Sequence, residues 1–123
     1  MAKANDPVEP TRPKVLTAVA AISAATAIGA AAFGAHGASD PQAAAWLRTG
    51  GEYQLAHAIA ALVIGALHSR IGWAMLGGAG LFAATLYAMA VGAPRWLGAI
   101  TPIGGVVLIM AWLSLAACAL RQR

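Results

Sequence analysis

The chain has 123 residues, 60% of them hydrophobic and 10% charged, with a mean hydropathy of +0.72; a water-soluble domain carries about a quarter charged residues, so the composition excludes one. The net charge of +4 and pI near 10 do not mark a nucleic-acid binder, because the eight Lys and Arg stand at the ends of apolar runs instead of forming a basic patch. One cysteine, Cys118, allows no intramolecular disulfide, and no Cys/His spacing reads as a zinc site.

Residues 1–14 hold Pro7, Pro10 and Pro13 among mixed charges and read as a mobile cytoplasmic tail. Val15 to Ala35 carries no charge over 21 positions, enough at about 1.5 Å per residue to cross a hydrocarbon core of about 30 Å. A cleaved signal peptide is the competing reading. It is set aside because the apolar run is long and the tail before it carries acids and three prolines. Within this first span Ala21, Ala25 and Gly29 recur every four residues, a flat stripe expected to face the other helices. Phe33-Gly34-Ala35-His36-Gly37 closes it.

Ser39-Asp40-Pro41-Gln42 offers a capping oxygen just before a proline suited to a first helical turn. Ala43 to Arg48 is then expected as a short interfacial helix stopped at Gly50-Gly51, or as an ordered loop with one buried Trp. The second span, 53–69, has 17 uncharged positions and the most polar groups; Tyr53 and His57 share a helical face, as do His57 and His68. A tight turn at His68-Ser69-Arg70 makes the third span, 71–93, an antiparallel neighbour. In it Gly77, Gly80 and Ala84 supply small packing positions, and Gly92 and Pro94 end it. The fourth span, 102–120, follows Thr101 as N-cap with Pro102 in the first turn and Gly104 and Gly105 behind it; a helix kinked through Pro102 from Trp96 is the alternative.

The expectation is therefore an all-α integral membrane protein, one antiparallel four-transmembrane-helix bundle over 15–123. Lys3, Arg12, Lys14, Arg70, Arg121 and Arg123 fall on one side and only Arg48 and Arg95 on the other. Six against two puts both termini in the cytoplasm. This topology brings His36, Tyr53, Gln54, His57, Tyr87, Arg95 and Thr101 to the outer ends of their spans, and His68 and Cys118 to the inner ends.

Two readings of the outer cluster are open. The groups satisfy one another and nearby backbone, as polar groups in lipid must. Alternatively His36 and His57, with Asp40 and Glu52 near, form a shallow site for a metal, a haem or a small polar ligand. No span as delimited contains an acid, lysine or arginine, which weighs against an ion-coupled transporter.

Four stretches together resemble the YgdD-like family of small inner-membrane proteins of unknown function. They are Ala32-Phe33-Gly34-Ala35-His36-Gly37, Tyr53-Gln54-Leu55-Ala56-His57-Ala58, Leu81-Phe82-Ala83-Ala84-Thr85-Leu86-Tyr87, and Thr101 to Gly105 followed by Trp112. Ala31 and Ala84 stand where that family tends towards glycine, and Thr85 where it tends towards serine. The resemblance implies a multi-pass protein of the bacterial inner membrane, with small transmembrane relatives in eukaryotes, and implies no activity.

The expected function is that of a noncatalytic accessory or interaction subunit of a larger membrane assembly, needing no cofactor, in contact with lipid and not with nucleic acid, with self-association left open. The alternatives are a small channel or carrier for a neutral solute, lined by the outer polar cluster, and a haem- or metal-binding bundle using His36 and His57.

Overall fold

The computed structural model describes residues 4, 5 and 13–122; most of the expected tail lies outside the described residues. Four α-helices follow one another: α1 (Lys14–His36), α2 (Pro41–Ile64), α3 (Ser69–Ala90) and α4 (Thr101–Arg121), with a 3-10 turn at Arg95–Ala99 before the last. There is no strand among the described residues. Three stretches, Lys14–His36, Ser69–Ala90 and Arg95–Arg121, are long and apolar enough to cross a membrane.

Each helix end has a local cause. The Gly37 N–H bonds the Phe33 carbonyl at 2.7 Å and closes α1. Asp40 caps α2, one carboxylate oxygen accepting from the Ala43 N–H at 2.8 Å, with Pro41 in the first turn. At the end of α3 the Ala93 N–H reaches back to the Ala88 carbonyl at 2.9 Å, and Gly92 supplies the φ of +104° that this reversal needs.

The expected interfacial helix stopped at Gly50-Gly51 is not found. Instead α2 runs unbroken through both glycines, because they are seats for neighbouring helices. A Cβ on Gly51 would lie 3.0 Å from the Ala27 carbonyl oxygen of α1, and one on Gly50 would lie 2.7 Å from the Tyr87 ring of α3. Packing on both sides outweighs the conformational cost of glycine in a helix, about 1 kcal/mol each. A second expectation fails with it: α2 ends at Ile64, so His68 precedes α3 and shares no face with His57.

Residues late in α2 meet residues early in α1. Leu47 lies against Gly34, Gly51 against Ala27 and Ala31, Gln54 against Ser23, and Gly65 against Leu16. The same reversal relates α2 to α3, where Gly50 meets Tyr87 and Gly65 meets Gly72, and α3 to α4, where Gly78 meets Gly104. The arrangement is not a closed bundle. α1 rests on α2 and the edge of α3, α4 rests on α3, and the backbones of α1 and α4 nowhere come within 8 Å of each other. α3 is consequently the most buried of the apolar helices, 44% against 17% for α1 and for the Arg95–Arg121 stretch.

The small-residue stripes fall otherwise than expected. Ala21, Ala25 and Gly29 are exposed, with open space around Gly29; α1 buries Leu16, Ala20 and Ala27 instead. Gly77 and Gly80 have nothing near the position of a Cβ, Ala84 is exposed, and the close approach of α3 to α4 is made by Gly78 and Gly104. A Cβ on Gly105 would meet only the edge of the Phe82 ring, at 4.0 Å. In so alanine-rich a chain, period alone does not distinguish one small face from another. Polar partners set the rotation of α1, as Ser23 does through Gln54. At α4 the N-cap is Ile100, and Thr101 is the first helical residue, not the cap.

Candidate functional site

Three polar connections tie the helices together. The Gln54 amide of α2 donates to the Ser23 hydroxyl of α1 at 3.1 Å and accepts from the Tyr87 phenol of α3 at 2.7 Å. Gln54 is buried at 7% exposure, so its two ends are spent within the protein. The Thr85 and Thr101 hydroxyls meet at 2.6 Å between α3 and α4, one donating to the other, whose own hydrogen goes to a carbonyl of its own chain segment. The third connection spans the gap between α2 and α4, whose backbones stay more than 8 Å apart. Here the Trp112 indole N–H donates to His57 Nε2 at 3.1 Å, and His57 Nδ1 lies 2.7 Å from the Tyr53 carbonyl oxygen.

The donors fix the tautomer of His57. A carbonyl oxygen only accepts, so Nδ1 carries the hydrogen; an indole N–H only donates, so Nε2 presents its lone pair. The imidazole is T-shaped against Trp112 at 6.1 Å and stacks parallel to the Tyr53 ring at 6.2 Å, while Tyr53 packs on Phe82 at 4.7 Å. A metal at His57 would have to displace Trp112.

The remaining expected site residues are dispersed. His36 is exposed at the end of α1, outside this network. Arg95 stands over the Trp46 ring at 5.8 Å, a cation–π contact joining the 3-10 turn to the first turns of α2. No group of three or more His, Cys, Asp or Glu able to hold a metal occurs among the described residues. His68 and Cys118 line one cavity of about 370 Å³ at the far end, with Leu67, Ser69, Arg70 and Ile71. Among the described residues every buried side-chain N and O has a partner.

The unbroken α2 also changes where charge lies. Glu52 follows Gly51, which packs against Ala27 and Ala31, so its backbone is level with the outer-middle part of α1, about 12 Å from that helix end at about 1.5 Å per residue. Arg48 is one turn nearer the end, and both are exposed. The expectation that no span holds an acid or arginine rested on a helix break that is absent.

Sequence reasoning left Gln54, His57 and Thr101 without their partners Ser23, Trp112 and Thr85, and Arg95 without Trp46. The four-residue connection 37–40 sets Ser23 opposite Gln54 once α2 is taken as continuous from Pro41. For Trp112 no comparable signal existed, since its bond bridges two helices whose backbones are not neighbours.

Apolar helices of membrane-crossing length, with polar side chains turned inward onto one another, define a small helical membrane protein. The chain belongs to the DUF423 family, described as a protein of unknown function, whose pattern matches residues 30–105. It is similar to the UPF0382 membrane protein YwdK of Bacillus subtilis, 36% identical over 121 residues that cover 88% of this chain and 98% of the relative. The UPF0382 membrane protein SERP0230 of Staphylococcus epidermidis is 38% identical over 88% of this chain and 97% of its own length. A UPF0382 membrane protein of Haemophilus influenzae is 38% identical over 84% and 90%. No solved structure matches the chain. The matched stretch holds Gln54, His57, Thr85, Tyr87 and Thr101, and excludes Ser23 and Trp112.

Proposed function

We propose that the chain crosses a bacterial inner membrane four times, as an antiparallel set of helices with both termini in the cytoplasm, alongside the YgdD-like proteins its motifs resemble. α2 is the least apolar helix, yet it is packed along α1 and α3, and a helix so placed between two crossing neighbours crosses with them. The excess of basic residues at the tails and the α2–α3 turn gives the orientation.

Its role on this reading is noncatalytic: an interaction subunit that is complete only in contact with another membrane chain. The observation that carries it is the pair Arg48 and Glu52, exposed on α2 at the depth of α1. Charged side chains facing acyl chains are costly, about 2.5–3.5 kcal/mol each at a span centre on insertion scales, and they are characteristically found facing protein. The inward polar groups, by contrast, already satisfy one another: Gln54 is taken up by Ser23 and Tyr87, and His57 by Trp112 and the Tyr53 carbonyl.

The test is native separation of mildly solubilised membranes carrying a tagged copy, with mass spectrometry of what comigrates. A defined assembly larger than the single chain is expected. Migration as a monomer in lipid nanodiscs would overturn the reading and move attention to flux and spectroscopic assays around His57.

A further inference from the structure

We propose that the partner covering Arg48 and Glu52 is a second copy of this chain, the two α2 helices packing face to face with Arg48 of each copy bridging to Glu52 of the other. The inference rests on the reading that α2 crosses the membrane. The outward face of α2 presents Ala45, Thr49, Glu52, Ala56, Ile59 and Val63, all exposed, at alternating steps of four and three residues. That spacing is the 3.5-residue seam along which two helices pack knobs into holes. The positions before and after Glu52 on the seam, Thr49 and Ala56, are small, so the backbones can approach closely enough for a side chain of one helix to reach the other. A cavity of about 180 Å³ opens beside Glu52 on this face, lined by Glu52, Tyr53, Ala56 and His57, a hole of the kind that a facing side chain fills.

Charge decides for a second copy over an unrelated chain. The patch carries one cation and one anion a single helical turn apart, so in a pair about a two-fold axis parallel to the helices, where like residues stand level, Arg48 of each copy reaches diagonally across one turn to Glu52 of the other. All copies insert the same way, which sets that axis along the membrane normal. The two copies then hold two guanidinium groups against two carboxylates, electrically neutral and shielded from lipid.

Cysteine crosslinking in native membranes tests this. In a Cys118→Ala background, Thr49→Cys and Ala56→Cys should each give an oxidised species of twice the chain mass, and Ile109→Cys, exposed on α4, should not. Arg48→Glu should reduce the crosslinked fraction at Thr49→Cys by about tenfold or more. Adding Glu52→Arg, which restores a self-complementary pair, should bring it back. Crosslinking from Ile109→Cys but not from the α2 positions, or a yield indifferent to Arg48→Glu, would overturn the proposal. So would crosslinks from Thr49→Cys to a different protein alone, which would still leave an interaction subunit. Single cysteines at Ser39 and Leu67 separate the two failures: labelling from the same side would sink the crossing of α2 itself, whereas labelling from opposite sides without a self-crosslink would sink only the second copy.

Discussion

Gln54 is the residue on which three helices agree, and its energetics are asymmetric. A hydrogen bond contributes about 0.5–1.5 kcal/mol net, whereas a buried group left without a partner costs about 1–3 kcal/mol. Gln54→Leu strands both the Ser23 hydroxyl and the Tyr87 phenol, so a loss of about 1–3 kcal/mol is expected in a denaturant titration of the purified protein in micelles. Tyr87→Phe should cost less in the Gln54→Leu background than in the wild type; equal costs in the two backgrounds would show that the pair is not coupled. Trp112→Phe keeps the ring and removes the indole donor from His57. Measured intramembrane hydrogen bonds average about 0.6 kcal/mol and reach about 1.7 kcal/mol, and the same titration should return a loss in that range. Gln54, His57 and Tyr87 were expected from the sequence as members of one polar cluster, whereas Ser23 and Trp112 were not placed in it. Their pairing was not legible, because the choice between mutual satisfaction and a ligand site depends on helix rotation, and nothing in an alanine-rich helix announces its rotation.

At the scale of the helices, number and approximate limits follow from composition, caps and turn residues. Asp40-Pro41 and Gly92 act where the chain chemistry says they should. The misreading lay in treating Gly50-Gly51 as punctuation. Two glycines end a helix in water by freeing the backbone. Between two packed neighbours they admit those neighbours, and backbone hydrogen bonds have no solvent to turn to. The same distinction separates the other glycines. A Cβ on Gly104 would stand 2.7 Å from both the Gly78 carbonyl oxygen and the Phe82 nitrogen, backbone atoms that cannot swing aside, whereas Gly29 and Gly77 open onto free space. Gly104→Ala is expected to destabilise by about 1–3 kcal/mol as α4 is pushed off α3. Gly29→Ala and Gly77→Ala should be neutral or stabilise by up to about 1 kcal/mol through helix propensity. Thermal unfolding midpoints of the three variants, compared side by side, check the ranking; a Gly104→Ala protein as stable as Gly77→Ala would contradict the packing of α3 on α4.

For the molecule as a whole, the topology makes a sharp statement. A four-span chain with the basic excess at its tails and at the α2–α3 turn should label at Ser69 from the cytoplasmic side and at Ser39 from the other, with both termini on the cytoplasmic side. Reporter fusions that put the termini on opposite faces would remove α2 from the membrane and leave three crossings. Length and hydropathy made this class of protein plain from the sequence. They could not give the lateral order of the helices, because lipid-facing and helix-facing surfaces are equally apolar, and polar bonds and glycine contacts decide which face goes where.

That lateral order, each helix resting chiefly on the one before it and α1 never reaching α4, bears on how the chain is made. Apart from the Trp112–His57 bond, the helices are joined by contacts that need not wait for α4, so each segment can dock as it leaves the ribosome, with short connections and little loop entropy to overcome. α2, too polar to be held by lipid alone, arrives when α1 is already in place to offer Ser23 to Gln54, and α3 then brings Tyr87 to complete the bond. A chain stopped after α3 should therefore still hold α1, α2 and α3 together, as a protease-resistant fragment.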